Sequence, residues 1–213
     1  IEGGGLGRVQ ADEVGPVSVQ GPNGVIDLLV ADEAAAVAAA KRYLGYFQGA
    51  LGADTPAGGE ALSLRLALPE NRNALYDPRA IIHTVMDQGS VLELRRDFGV
   101  GVITALARIG GQAVAVAASQ PRHLGGALDA PGCDKLARFM QLADAFGLPL
   151  ITFVDTPGFM VGPESEKTAM VRRAGRLFVT AASLRVPVFS VMVRRGYGLG
   201  AMALTAGHFH APV

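Results

Sequence analysis

Three glycine-rich junctions are the parts of this sequence best suited to chemistry. They are residues 119–127, 155–162 and 196–201, and each follows an apolar run typical of a β-strand. Glycine leaves no Cβ between a ligand and the backbone, and N–H groups where a strand leads into a helix lack hydrogen-bond partners. Such donors can hold the negative charge that grows on a carbonyl oxygen as it becomes an enolate. The junctions therefore predict oxyanion chemistry, and the alternative is that these glycines only form tight turns.

Side chains that commonly do chemistry have weaker patterns. His208 and His210 form a His-x-His pair, but no third zinc ligand stands at a convincing spacing. His83 and His123 are expected to face solvent. The sequence has no Gly-x-Ser-x-Gly elbow for a hydrolase triad. The Gly-x-Gly that starts at Gly198 lacks the third glycine and the later acidic residue of a dinucleotide site.

The composition limits the classes of partner. Half of the 213 residues are apolar, and 19 basic residues balance 19 acidic ones. Without net charge there is no long-range field to attract nucleic acid, so a polar small molecule or a protein is expected instead. The single cysteine, Cys133, excludes a disulfide framework, is expected to be an ordinary helix-start residue and fits a cytoplasmic protein. No membrane span is expected, because Pro187 and two arginines interrupt the best candidate, residues 186–206.

The elements that position these junctions follow from apolar periodicity and glycine or proline breaks. Strands are predicted at residues 25–30, 102–109, 112–118, 150–154 and 188–193, and helices at 33–48, 77–89, 134–147, 163–184 and after 197. Gly110 and Gly111 predict a hairpin turn between the second and third strands. In the first long helix, Asp32 is the predicted N-cap, and Val37, Leu44 and Phe47 can share one broad apolar face. The alternation of strands and helices predicts an α/β fold.

Five motifs in the same order resemble the carboxyltransferase subunits of propionyl-CoA, acetyl-CoA and methylcrotonyl-CoA carboxylases and their decarboxylase relatives. The motifs are Pro69-Glu70-Asn71-Arg72 with Tyr76-Asp77-Pro78-Arg79, Gly89-Ser90-Val91-Leu92-Glu93-Leu94, Gln120-Pro121 with Gly125-Gly126-Ala127-Leu128-Asp129, Asp155-Thr156-Pro157-Gly158-Phe159, and Arg194-Arg195-Gly196-Tyr197-Gly198. The resemblance covers nearly the whole chain, and the order of the motifs makes it specific.

The resemblance implies a fold and a division of the chain. The family has two crotonase-like (ClpP/crotonase) domains, each a spiral of ββα units. By that likeness this chain is a fragment of a two-domain carboxyltransferase. Residues 1–49 would be the tail of the acyl-CoA-binding N-terminal domain, residues 50–72 a linker, and residues 73–213 most of the carboxybiotin-binding C-terminal domain. Because the chain opens on Ile1 rather than on methionine, it is expected to begin partway through a longer protein, and the fragment alone is expected to be inactive.

The resemblance also implies a reaction and partners. A carboxyl group would pass from carboxybiotin to the α-carbon of an acyl-CoA, through enolates held in backbone oxyanion holes and with no side chain as general base. Biotin would arrive on a biotin carboxyl carrier domain of a biotin carboxylase partner. A homo-oligomer, a dimer of trimers in the family, is expected.

Site residues carry over by position. The amides of Gly200 and Ala201 would form the oxyanion hole on the biotin side. The pocket around it would be shaped by Gln120, Pro121, Gly125, Gly126, Gly158, Phe159, Tyr197, Gly198 and Leu199. Relatives often have Tyr-Gly-Gly-Ala at the last turn, so Leu199 leaves open which two amides point inward. Ser119 stands where relatives often have asparagine. Met202 and Ala203 are expected to influence the choice of acyl group.

Two other functions remain open from the sequence. A biotin-independent crotonase-like acyl-CoA hydratase or hydrolase would need an acidic residue at the site, and Glu164 is the nearest candidate beside the second junction. A non-catalytic assembly domain would use the same surfaces only to form an oligomer.

Overall fold

One five-stranded sheet organises the chain in the computed structural model, which describes residues 2–5, 7–52, 58–60, 62–71 and 73–208. The strands are β1 (Leu92–Leu94), β2 (Val102–Ile109), β3 (Gln112–Ser119), β4 (Leu150–Thr156) and β5 (Val188–Gly196), and they lie side by side in sequence order. β1, β2 and β3 pair antiparallel, whereas β3, β4 and β5 run parallel. This mixed α/β sheet confirms the predicted fold class.

The helices connect and flank these strands. They are α1 (Val17–Gln20), α2 (Glu33–Gly45), α3 (Ser63–Leu66), α4 (Arg79–Val85), α5 (Ala130–Ala145), α6 (Pro163–Lys167), α7 (Met170–Ala182) and α8 (Gly198–Leu204). Short 3₁₀ turns occur at Glu2–Gly4, Ala11–Glu13, Leu124–Gly126 and Ala206–His208. Within the described residues, no helix has the length and apolar character needed to cross a membrane.

The hairpin between β2 and β3 is confirmed. Gly110 and Gly111 both have positive φ, 56° and 78°, which suits glycine at a tight turn. Their N–H groups donate to the two carboxylate oxygens of Asp87, at 2.8 and 2.7 Å. A buried aspartate thus satisfies two backbone donors that the turn would otherwise leave without a partner.

The sheet buries both of its faces. On one face Leu106 packs with Leu136 of α5 and Leu177 of α7. On the other face Ile103 packs with Ile82 of α4. Because side chains alternate along a strand, β2 contributes to both cores and reads as an uninterrupted apolar run.

Several predicted boundaries were wrong. The helix expected at residue 134 begins at Ala130, because Asp129 accepts a bond from the Gly132 N–H at 2.9 Å and so caps it. The predicted helix 163–184 is broken in two by Ala169, whose φ of 57° is left-handed. β4 and β5 run beyond their predicted ends at residues 154 and 193.

The N-terminal part differs more from expectation. Residues 25–30 contain no strand, and Val25 is 65% exposed. α2 does begin after Asp32, whose carboxylate accepts from the Ala35 N–H at 2.8 Å, but Val37 and Leu44 are more than half exposed. Tyr46 is buried instead. The reason is that the side of α2 bearing Tyr43 packs against the core together with Tyr46, the residue after the helix, whereas Val37 and Leu44 lie on an exposed side.

The predicted linker is only partly described. Residues 53–57, 61 and 72 lie outside the described residues, and α3 forms within the range 50–72. The division into residues 1–49, 50–72 and 73–213 stays a prediction.

Candidate functional site

The three glycine junctions meet at one edge of the sheet. β3, β4 and β5 are parallel, so their carboxyl ends point the same way, and each junction follows one of these ends. Backbone hydrogen bonds join the loops directly. The Leu128 N–H donates to the Gly158 oxygen at 3.0 Å, and the Met160 N–H donates to the Leu128 oxygen at 2.8 Å. The Tyr197 N–H donates to the Thr156 oxygen at 3.2 Å, which attaches the third junction to the second.

The loops can pack closely because glycine, which has no Cβ, occupies their points of contact. A Cβ on Gly200 would lie 2.7 Å from the Gly158 Cα, and a Cβ on Gly126 would lie 2.4 Å from the Asp155 oxygen. Gly126 and Gly158 also have φ of 89° and 130°, which other residues rarely adopt. The glycines are therefore required for packing between loops, which a single isolated turn would not need.

The amino end of α8 presents backbone donors beside Gly158. The first N–H groups of a helix have no intrahelical acceptor, and in α8 they belong to Gly198, Leu199 and Gly200. The Ala201 N–H already donates to the Tyr197 oxygen, at 3.3 Å. Among the predicted pair, Gly200 is thus better placed than Ala201 to bind an oxyanion.

The side chains around α8 differ in exposure. Tyr197 and Leu199 are each 60% exposed, whereas Gly200 and Ala201 are buried. Phe159 is half-buried, and its ring packs edge to face on Phe178 of α7. Phe159 therefore contacts the protein interior on one side and can shape a pocket on the other.

A buried aspartate between two arginines stabilises the same edge, and sequence reasoning missed it. Asp155, 1% exposed, accepts from Arg194 Nε at 2.8 Å and from Arg195 Nε at 2.9 Å. Arg195 also donates to the Gly125 oxygen at 2.6 Å, so the pair links β4, β5 and the first junction. Acidic and paired basic residues at the ends of adjacent parallel strands were the signal that could have revealed it.

An aromatic residue completes this cluster. The Arg194 guanidinium lies 4.9 Å from the ring centroid of Tyr76, close enough for a cation–π contact. Burial raises the pKa of Tyr76, and the charge of Asp155 raises it further. Tyr76 is therefore a neutral phenol at any physiological pH.

Gln120 and Ser119 support the loops rather than present side chains to a ligand. The Ser119 hydroxyl accepts from the Asp155 N–H at 2.7 Å, which ties β3 to β4. The Gln120 amide donates to Asp77 at 3.2 Å, and Pro121 is buried. Burial raises the pKa of Asp77, but bonds from the Arg79 N–H and from Gln120, together with the charges of Arg79 and Arg122, outweigh it and hold that pKa below its usual range.

The other candidate side chains lie apart from these donors. Glu164 is exposed and pairs with Lys167 on α6, at 2.5 Å. His123 is not a free solvated side chain as expected, because its Nε2 lies 2.8 Å from Asp129. The described residues contain no group of three metal-binding side chains, and His210 lies outside them.

Together, the sheet and its glycine loops define an α/β domain of the crotonase-like class. Residues 8–212 match the carboxyl transferase domain family. The chain belongs to that family, as the five motifs predicted.

Curated relatives agree with this assignment. The biotin-dependent long chain acyl-coenzyme A carboxylase beta4 subunit of Mycobacterium tuberculosis is 34% identical over 93% of this chain. The propionyl-CoA carboxylase beta chain of Roseobacter denitrificans is 34% identical over 70% of it. The chain spans 41% of the first relative's length and 29% of the second's.

Solved structures give the same fold over the whole chain. A single-chain, multi-domain long-chain acyl-CoA carboxylase is 50% identical with a TM-score of 0.95, and this chain covers 22% of it. The transcarboxylase 12S, solved as a hexamer with hydrolysed methylmalonyl-coenzyme A bound, is 28% identical with a TM-score of 0.89 and 43% covered. Both likenesses extend over 100% of this chain.

Proposed function

We propose that this chain is part of a carboxyltransferase of a biotin-dependent acyl-CoA carboxylase. The observation that carries the proposal is the backbone contact between Gly158 and Gly200, which leaves the amino end of α8 at the junction of three loops. Membership in the carboxyl transferase family and the relatives' printed activities support the same reaction.

The chain's contribution to the reaction is made by its backbone. Carboxybiotin, when bound, would supply the carboxyl group that is transferred to the acyl α-carbon, and negative charge would develop on its ureido oxygen. The N–H groups of Leu199 and Gly200 are aimed away from α8 and are suited to donate to this oxygen. Gly126 and Gly158, whose backbone conformations do not suit a side chain, let the neighbouring loops pack closely beside these donors.

The donor pair in this proposal differs from the pair first inferred from the resemblance. Ala201 donates within α8, so Leu199 replaces it and Gly200 is kept. Gly125, Phe159, Tyr197 and Gly198 lie on the same three junctions as this pair. We assign them to the walls of the pocket.

The partners follow from the same reaction. Biotin would be delivered by a biotin carboxyl carrier domain, and the acyl-CoA would bind against a second set of backbone donors outside this chain. We further propose that the protein is a cytoplasmic homo-oligomer that acts in fatty acid metabolism. Its proposed oligomeric state agrees with the hexamer described for the transcarboxylase 12S.

The experiment uses the full-length protein, free biotin and methylmalonyl-CoA or malonyl-CoA. We expect the CoA ester to lose its carboxyl group only when biotin is present. Chromatography of the CoA products measures this loss. Leu199→Ala keeps the amide and serves as the matched active control. No carboxyl exchange with either ester would contradict the proposal, and hydration of an enoyl-CoA without biotin would favour the hydratase instead.

A further inference from the structure

A cavity lies beside α5, and its lining includes no residue of the three glycine junctions. It has a volume of about 440 Å³ and lies between α2 and α5, with Leu94 of β1 contributing to its wall. Small-molecule sites typically have volumes of roughly 300–1,000 Å³. The cavity is therefore large enough for a small organic ligand.

The sequence of α2 explains why the space is open. Ala36, Ala39 and Ala40 lie three and four residues apart, so they share one helix face, and that face lines the cavity. A methyl side chain cannot reach across to the facing Phe139 of α5. A stripe of small residues alone would not indicate a ligand, but the cavity also contains an unusual charge.

Lys135 of α5 lines this cavity and is only 1% exposed. Its amine has no hydrogen bond or ion pair within the described part of the chain, and lysine is rarely buried without a partner. The nearby carboxylate of Glu93 is already held by Arg79, through bonds of 2.8 and 2.5 Å. Lys135 therefore lines the cavity without a hydrogen-bonded partner among the described residues.

The remaining charges of the cavity reinforce this imbalance. Arg138 lies one turn after Lys135 on the same face of α5 and forms no ion pair among the described residues. Asp27 is the acidic residue of the lining, and it pairs with Arg95 at 2.7 Å. A buried lysine and an exposed arginine, neither of which forms an ion pair among the described residues, thus line a space with largely apolar walls.

Burial lowers the pKa of Lys135 to about 8, with Glu93 opposing and Arg79 reinforcing the shift. The amine remains mostly protonated at pH 7, at a cost in desolvation that an anionic ligand would offset.

We infer that this cavity binds a monocarboxylate with an unbranched hydrocarbon tail. The carboxylate pairs with Lys135 and Arg138, and the tail packs on the alanine face of α2 and on Phe139. Neither the amides of α8 nor any biotin or acyl-CoA contact takes part, so this site is independent of the proposed carboxyltransferase reaction.

The test is calorimetric titration of the full-length protein with octanoate, with 1-octanol as the uncharged probe of equal tail length. We expect saturable octanoate binding at least tenfold tighter than that of 1-octanol. Lys135→Met, which keeps a similar side-chain volume, is expected to weaken octanoate binding at least tenfold while Tm stays level or rises. Ala39→Phe fills the cavity from a partly exposed helix position and is expected to abolish binding.

Three results would overturn the inference: no octanoate binding at millimolar concentration, equal affinity for octanoate and 1-octanol, or unchanged affinity in Ala39→Phe. Because the titration contains neither biotin nor acyl-CoA, its failure would leave the carboxyltransferase proposal unaffected.

Discussion

Gly200 at the start of α8 packs backbone to backbone against Gly158 after β4. A Cβ on Gly200 would lie 2.6 Å from the Gly158 carbonyl carbon and 2.7 Å from its Cα. No atom of that pair belongs to a flexible side chain, so neither loop can yield without moving its backbone. The approach of α8 to the loop after β4 thus depends on the missing Cβ of Gly200, and the position of the α8 amides depends on that approach.

Gly200→Ala is expected to force these loops apart. Overpacking of this kind costs about 1–3 kcal/mol of the free energy of unfolding, and we expect turnover to fall with it. Gly175→Ala in α7 is the control, because a Cβ there meets no atom within 4 Å and alanine favours a helix by up to about 1 kcal/mol. Urea unfolding of both variants gives the comparison. Equal midpoints would show that the contact does not restrict the loops.

Leu199→Pro is expected to lower kcat about a hundredfold or more, because it removes one donor of the proposed oxyanion hole. Proline is tolerated in the first turn of a helix, so α8 itself should persist. Leu199→Ala changes the same exposed side chain but keeps the N–H, and its kcat is expected to stay within about threefold of wild type by the same reasoning. The two variants are compared in the biotin-dependent assay with circular dichroism as the folding check. Similar kcat values would place the oxyanion donors elsewhere.

The sequence predicted the fold where local signals and tertiary packing agree. Gly110 and Gly111 specify a hairpin turn by themselves, and the apolar runs of β2 and β3 fit a strand buried on both faces. Boundaries failed where packing decides them. Ala169 adopts a left-handed φ within an otherwise helical pattern. No neighbouring residue type predicts that the helix is interrupted there.

The site was predictable as a set of loops but not as a set of atoms. Glycines after successive parallel strands indicated where donors gather. Which amide is free depends on where α8 begins, and the helix start at Gly198 commits the Ala201 N–H to Tyr197. The pairing of Asp155 with Arg194 and Arg195 joins residues 39 and 40 positions apart, so it required the strand order to be known.

The Cys133 thiol is expected to stay protonated and unreactive in the folded protein. Burial, reinforced by the charges of Asp129 and Asp134, raises its pKa from 9.0 to about 12. The unfolded thiol ionises near pH 9 and the folded one does not, so its contribution to stability is full below pH 9 and declines as pH rises toward 12. Between pH 9 and pH 12 this thiol lowers the free energy of unfolding by up to about 1.4 kcal/mol per pH unit. In Cys133→Ala that part of the pH dependence should be absent.

The measurement for Cys133 is urea unfolding of the wild type and of Cys133→Ala at pH 8.0, 9.5 and 10.5. Both proteins contain the same tyrosines, so tyrosine ionisation affects both equally and cancels in the comparison. Parallel stability profiles for wild type and Cys133→Ala would contradict the raised pKa. Iodoacetamide at pH 8.5 should alkylate the Cys133 thiol only when urea unfolds the protein, because the buried thiol is neither accessible nor ionised.

Asp155→Asn tests the buried charge cluster that links the three loops. Asparagine keeps the shape of the side chain but removes the carboxylate charge that pairs with Arg194 and Arg195, whose side-chain exposures are 9% and 29%. Breaking a buried pair in this way costs about 3–5 kcal/mol, and the exposure of Arg195 places the expected loss near the lower end, at about 3 kcal/mol. Asp144→Asn is the matched control, because its partner Arg185 is 80% exposed and such pairs contribute less than about 1 kcal/mol.

Asp155→Asn should also lower catalytic activity. Measuring kcat in the folded variant distinguishes a role of Asp155 in positioning the loops from its contribution to overall stability. Arg195 donates to the Gly125 oxygen as well as to Asp155, so loss of the carboxylate removes one of the two bonds that orient its guanidinium toward the first junction. At a temperature where both variants remain folded, we expect kcat to fall in Asp155→Asn and to be unchanged in Asp144→Asn. If the two variants lose equal stability and keep equal kcat, the cluster neither stabilises the edge of the sheet nor positions its loops.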